Sequence, residues 1–212
     1  MHTESSAVEG RHPAASTPVL VGILLLWLLY TLLYTLPIPE VLAAFVHLLP
    51  GTAAILFLRH SGYSASDCYL VMRRISVKGI LALALVSLAL AGPILSSAYV
   101  GFTPLLVFLL APASAVAQEL FFRAGLLPVM QRMFPGRPAA ANLAHTTLFA
   151  LWHVPKALIF SPINPFLGAL MLAVVTGLAG FGWGWQVRRD RTIGWSTLHH
   201  WLMLSVMSLF GL

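Results

Sequence analysis

Long apolar runs separated by short polar connections dominate the chain. They show neither the two-residue alternation of a half-buried strand nor the one-sided apolar stripe of a soluble helix. A helix of roughly 20 residues is needed to cross roughly 30 Å of hydrocarbon, and about seven runs of that order are present. They are Val19 to Leu36, closed by Pro37-Ile38-Pro39; Val41 to Leu58, expected to kink at Pro50-Gly51; Gly79 to Tyr99; Phe102 to Leu126; Ala139 to His153; Pro165 to Val187; and Ile193 to Gly211. The pattern predicts an all-α fold, a polytopic transmembrane helix bundle with about seven membrane helices. A polar stretch, Arg59 to Lys78, separates the second run from the third. The Leu126 to Pro138 connection carries Leu126, Leu127, Val129, Met130 and Met133, which suit a short amphipathic helix immersed at the membrane surface. Residues 1–17 are polar, include Glu4 and Glu9 and lack a basic stretch ahead of the first apolar run, so that run is expected to be retained rather than cleaved as a secretory signal.

Composition strengthens this picture. Hydrophobic residues make up 59% and charged residues 8% of the chain, too little polarity to cover a soluble domain or to keep a chain disordered. The net charge of +6 is no nucleic-acid footprint, because the basic residues fall in short clusters between apolar runs rather than on one face. No nucleic-acid partner is expected; the lipid bilayer is. Arg11, Arg59, Arg73, Arg74, Lys78, Arg132, Arg137, Arg188, Arg189 and Arg191 all lie in alternate connections, against Lys156 alone on the other side, so the amino terminus is expected in the cytoplasm. The short chain and its preference for Arg over Lys hint at a bacterial inner (plasma) membrane. The single cysteine, Cys68, excludes an internal disulfide and any CxxC site, and reads as a loop residue. No motif calls for a cofactor, and none is expected.

Ionisable side chains inside hydrocarbon are expensive and need a partner or a role. Those in the apolar runs are His47, Glu119, Arg123, His145, His153, His199 and His200. Glu119 and Arg123 stand four apart, on one helical face and in the favourable order for a pair. Such a pair serves either to hold helices together or to do chemistry. Phe149 and His153 are likewise four apart, and His153 precedes Val154-Pro155, where the helix is expected to loosen. Neighbours on a helix point about 100° apart, so only one of His199 and His200, and one of Gln118 and Glu119, faces a shared centre. His47 and His145 read as structural histidines. Gly177, Gly180 and Gly184 read as a packing stripe, and Trp183, Trp185, Trp195 and Trp201 as an interfacial belt.

Three helices thus offer an acid with a guanidinium, a histidine with a phenyl ring, and a histidine. Such a set suits water-dependent amide hydrolysis: a carboxylate takes the proton, imidazoles orient the water and steady the oxyanion. No HExxH and no serine elbow are present, and Asp67 and Asp190 fall in loops, which removes the zinc, serine and aspartate routes. No metal site is assigned; three ligands from His153, His200 and Glu119 would have to come from three helices without compact spacing.

These residues resemble the CPBP family, which joins type II CAAX prenyl proteases and bacteriocin-processing (Abi) intramembrane glutamic endopeptidases through the motifs EExxxR, FxxxH and HxxxN. The first reads Gln118-Glu119-Leu120-Phe121-Phe122-Arg123, the second Phe149-Ala150-Leu151-Trp152-His153, and the third begins at His200 with Leu204 four residues later. The resemblance covers about Phe102 to Leu212. It implies a catalytic core over 102–212, preceded by a polar cytoplasmic tail, 1–17, and by three membrane helices over 18–101 with a basic cytoplasmic loop, 59–78. It further implies an endopeptidase whose site comprises Gln118, Glu119, Arg123, Phe149, His153 and His200, acting on a hydrophobic or membrane-anchored peptide or protein.

The sequence departs from the motifs twice. The family's first glutamate, taken as the base that activates water, is Gln118 here, and an amide accepts no proton at neutral pH. The family's asparagine, an oxyanion donor, is Leu204. Three explanations stand side by side: Glu119 acts as the base, the chain is a non-hydrolytic relative serving as a binding, immunity or protein-sorting factor, or Gln118 is an introduced change. A small transporter with a buried proton path is the remaining alternative.

Overall fold

A computed structural model describes residues 16–71, 102–161 and 164–209. The expected run Gly79 to Tyr99, the tail before Ser16, and Arg73, Arg74 and Lys78 lie outside the described residues. Within them the elements are helical: α1 (Thr17–Tyr34), α2 (Glu40–Val46), α3 (Leu48–His60), α4 (Phe102–Glu119), a π-helical segment (Leu120–Leu126), α5 (Leu127–Met133), α6 (Pro138–Phe160), α7 (Pro165–Asp190) and α8 (Gly194–Leu209). Among the described residues, three stretches are long and apolar enough to cross a membrane, namely Thr17–Tyr34, Val41–His60 and Pro165–Asp190. The exterior matches. Leu25, Leu29 and Leu32 on α1 and Phe166, Leu170, Val174 and Leu178 on α7 are exposed, an apolar surface that only lipid solvates. The chain is a multi-span, all-α membrane bundle.

Several boundaries differ from expectation, each for a local reason. The break in the second run falls at His47, between α2 and α3, rather than at Pro50-Gly51. Pro50 has no N–H for the Val46 carbonyl and its ring crowds that oxygen, so the disturbance appears one turn upstream. The helix after Pro138 does not loosen at Val154-Pro155 but runs on to Phe160, with Pro155 inside it. Neighbouring helices stabilise a proline turn of this kind in membrane bundles.

The most unusual element is the π-helical segment. Leu127 N–H donates to Phe122 O, five residues back, and Pro128 follows with no N–H for the Ala124 carbonyl, which favours a widened turn. Residues 121–130 are all buried, so this part of the chain has no lipid-facing stripe. The first part of the connection expected at the membrane surface, residues 126–130, is therefore enclosed by other helices, while Met133 and residues 135–138 are exposed. Small residues permit the approach. A Cβ on Gly51 of α3 would stand 3.0 Å from Ala117 O and from Leu120 Cβ, and one on Gly125 would stand 3.1 Å from Ala54 Cβ. From α1, the Trp27 indole N–H donates to Leu148 O of α6 at 3.0 Å.

One end of the bundle is tied by polar contacts. Tyr69 O–H donates to Gln131 Oε1 at 2.6 Å, Arg132 pairs with Asp67 at 3.2 Å and covers the Tyr63 ring, and Ile193 N–H donates to Tyr69 O at 3.1 Å. Tyr69 and Arg191 each adopt φ 56°, the left-handed turn that closes these corners. Cys68 is buried here, and burial, with some help from Asp67, pushes its thiol up to about 11 against the opposing pull of Arg59 and Arg132.

Two predictions follow from this packing. Gly51→Leu should destabilise the protein by about 1–3 kcal/mol, read as a lowered midpoint of unfolding in detergent, because the side chain would have to displace backbone. Cys68 should resist maleimide in the folded protein at about pH 8 and react once the chain is unfolded. Because the folded thiol titrates above the unfolded one, its contribution to stability is complete below about 9 and is lost as the pH rises towards about 11.

Candidate functional site

Glu119 is the last residue of α4 before the π segment, and its side chain is fully buried. Its Oε1 accepts from His200 Nδ1 of α8 at 2.9 Å, and its Oε2 accepts from Ser196 Oγ, one turn earlier on α8, at 2.6 Å. Ser196 Oγ also lies 3.0 Å from Ile193 O, but a hydroxyl has one proton and the shorter contact to a carboxylate is the stronger. Arg123 Nη1 stands 3.4 Å from Glu119 Oε1, an ion pair by distance that lacks hydrogen-bond geometry. The guanidinium lies over the Phe149 ring at 4.1 Å and within 5.3 Å of the Trp183 ring.

His153 is one turn beyond Phe149 on α6. Its Nδ1 donates to Phe149 O at 2.9 Å, and its ring meets the Phe149 edge at 4.8 Å. The same phenyl ring stands 6.2 Å from His200, so Phe149 is the wall shared by Arg123 and both imidazoles. Trp183 of α7 stacks on His200 at 4.4 Å, with 23° between the planes. In both histidines Nδ1 faces an oxygen that only accepts. Each neutral ring therefore carries its proton on Nδ1 and its lone pair on Nε2.

The sequence-derived residues are thus distributed as follows. Glu119 contacts Arg123 and His200, Phe149 lies against Arg123 and near His200, and His153 adjoins them through Phe149. His199 turns away to Gln186 of α7, at 3.2 Å. Gln118 is buried but directs its amide nitrogen to Ser114 on its own helix at 3.3 Å, while its carbonyl oxygen meets no protein donor. Leu204 places no polar atom one turn beyond His200. Ser196 was missed, although its spacing of four from His200 puts both on one face of α8. Trp183 was misread as part of an interfacial belt; it is 8% exposed and covers the site. Nothing in the local sequence distinguishes it from Trp185, which is half exposed. Among the described residues, no three His, Cys, Asp or Glu side chains are grouped as metal ligands, and the positive charge beside Glu119 is supplied by Arg123.

The fold and site define a class: a polytopic helical membrane protein with a buried carboxylate held by an imidazole and a guanidinium. Residues 99–206, just over half of the chain, match the family described as type II CAAX prenyl endopeptidase Rce1-like, and the protein belongs to that family. No curated protein matches the chain. No solved structure matches it either.

The site's energetics are testable apart from any activity. Glu119→Ala should cost about 3–5 kcal/mol of unfolding stability, because it leaves the Arg123 guanidinium buried without its counter-ion. The double variant with Arg123→Ala should cost less than the sum of the single changes, by about 0.5–3 kcal/mol in a denaturation cycle.

Proposed function

We propose that this protein is an intramembrane endopeptidase that hydrolyses a peptide bond in a membrane-associated protein or peptide, with water activated by glutamate and histidine. The observation that carries the reading is the 2.9 Å bond between the buried Glu119 carboxylate and His200 Nδ1 in a chain of this family. Both carboxylate oxygens are engaged, by His200 and by Ser196. Glu119 therefore acts through His200: it fixes the ring and steadies the imidazolium, while Nε2 takes the proton from water. His153, its Nδ1 anchored on a backbone carbonyl, presents its own Nε2 for orienting that water. Arg123 balances the charge of Glu119 and of the developing oxyanion.

The basic end supports a cytoplasmic opening. Arg132, Arg188 and Arg191 meet Asp67, Pro138 O and Tyr69 at one end of the bundle, whereas Lys156 lies over Tyr34, at the far end of α1. By the positive-inside rule the first end faces the cytoplasm, as in a bacterial inner-membrane protein. A site enclosed by apolar helices suits a hydrophobic or lipid-anchored peptide. A second reading, a non-hydrolytic relative that binds such peptides for immunity or sorting, is favoured by the amide of Gln118 and the missing donor at Leu204.

Cleavage of a membrane-anchored peptide library in vesicles, read by mass spectrometry, separates the two. The wild-type protein should cleave, Glu119→Ala, His153→Ala and His200→Ala should each lose about a hundredfold or more, and Gln118→Glu should retain cleavage. Activity that appears only in Gln118→Glu would assign the chain to the non-hydrolytic reading. Cleavage undiminished in Glu119→Ala and His153→Ala would remove these residues from the chemistry.

A further inference from the structure

A second set of buried polar atoms lies along the interface of α6 and α7. Asn142, His145 and Thr146 share one face of α6, and their side chains are 0%, 0% and 6% exposed. Asn142 Nδ2 donates to Phe181 O at 2.9 Å, which fixes the amide orientation and turns Oδ1 the other way. That Oδ1, Thr146 Oγ1 and Nε and Nη2 of Arg123 have no protein hydrogen-bond partner, and the His145 ring has only the Asn142 backbone carbonyl, one turn back on its own helix, within reach. Buried polar atoms in such number are seldom left unpaired in a folded protein.

The positions of two glycines show that these atoms converge. A Cβ on Gly184 of α7 would collide with Asn142 Oδ1 and come within 3.2 Å of His145 Nδ1. One turn away, Gly180 seats the Phe149 ring, 2.7 Å from where a Cβ would stand, with Arg123 Nη2 3.6 Å from the same point. The two glycines are separated by four residues, about 6 Å of helix rise, so these atoms follow one edge of α7. At the other end, Arg188 donates from Nη1 to Pro138 O at 2.7 Å while its buried Nε meets no protein acceptor, which brings the polar atoms to the basic end of the bundle.

We propose that the α6–α7 interface is an internal hydration site, in which Asn142, His145 and Thr146 bind a short file of water leading from the Arg188 end to the Arg123 guanidinium. The chemistry selects water over an ion. Asn142 Oδ1 accepts, Thr146 does either, a neutral imidazole has one donor and one acceptor, and the guanidinium donates, so a ligand with both capacities is required. The Arg123 charge is already balanced by Glu119, which leaves no net charge for an anion to neutralise. That this file replenishes a hydrolytic site rests on the proposed proteolysis; its existence does not.

Hydroxyl-radical footprinting by X-ray radiolysis of the full protein in phospholipid nanodiscs, mixed with heavy-oxygen water just before exposure, reads bound water at side chains. His145 should be oxidised several-fold faster than the equally buried Phe121, after correction for intrinsic reactivity, and should take up the heavy label. Gly184→Ala, whose methyl must displace the Asn142 amide seated on that glycine, should lower the His145 rate several-fold. Gly177→Ala, whose added methyl meets only Ala150 at 3.9 Å, should leave it unchanged. A wild-type His145 rate no faster than that of Phe121 overturns the proposal and decides the matter even if Gly184→Ala does not fold; an unchanged rate in a folded Gly184→Ala overturns it equally. The readout is oxidation rather than cleavage, so it fails alone if the interface is dry and stands if the chain proves non-hydrolytic.

Discussion

A carboxylate inside hydrocarbon has no solvent to carry its charge, and much of this structure follows from surrounding Glu119 with protein. Lipid offers neither donors nor counter-charge, so His200, Ser196 and Arg123 must supply both. That requirement brings α4 against α8, because the two donors sit one turn apart on a single face of α8. It also makes Arg123 the second buried charge, which needs an aromatic bed of its own, provided by Phe149 and Trp183. The helices close around this pair and around the apolar core beside it, which runs from Ile23 and Tyr30 to Phe121, Phe122 and Trp152.

The enclosure is achieved largely by omission of side chains. Gly51 lets α3 rest on the junction of α4 and the π segment, Gly125 lets that segment rest on Ala54, and Gly180 makes room for the Phe149 ring. With lipid as apolar as leucine, close backbone approach and polar contacts replace the hydrophobic driving force of a soluble core. The π segment serves the same end. Together with the start of α5 it places ten consecutive residues, 121–130, inside the bundle, with no lipid-facing stripe.

What was legible in the sequence follows from this physics. Crossing helices announce themselves by length and hydropathy, and intramembrane ionisable groups by their cost, so the bundle and the residues gathered around Glu119 were readable from runs and spacings. Which face of an apolar helix meets lipid was not readable, because Leu25 at 62% exposure and Ile23 at 0% look alike to a pattern that has no polar side. Trp183 was misassigned for that reason. The break at His47 and the continuity through Pro155 depend on what a proline's neighbours do with the freed carbonyl, which is decided by packing. Ser196 lay within reach of the reasoning, four residues from His200, but a serine carries no charge penalty that draws attention to it.

The amide at Gln118 takes on a different weight in this setting. Its side chain turns along its own helix to Ser114 rather than to His200 or Arg123. With glutamine, the single negative charge stays on Glu119, which is committed to His200 and Ser196. In the proposed reaction, proton transfer falls to an imidazole whose orientation the carboxylate fixes, a division of labour familiar from acid–imidazole catalytic pairs on unrelated folds. Under the proposed function, the loss of one acid does not empty the site of a base. It moves the base to Nε2 of a histidine that Glu119 holds from behind.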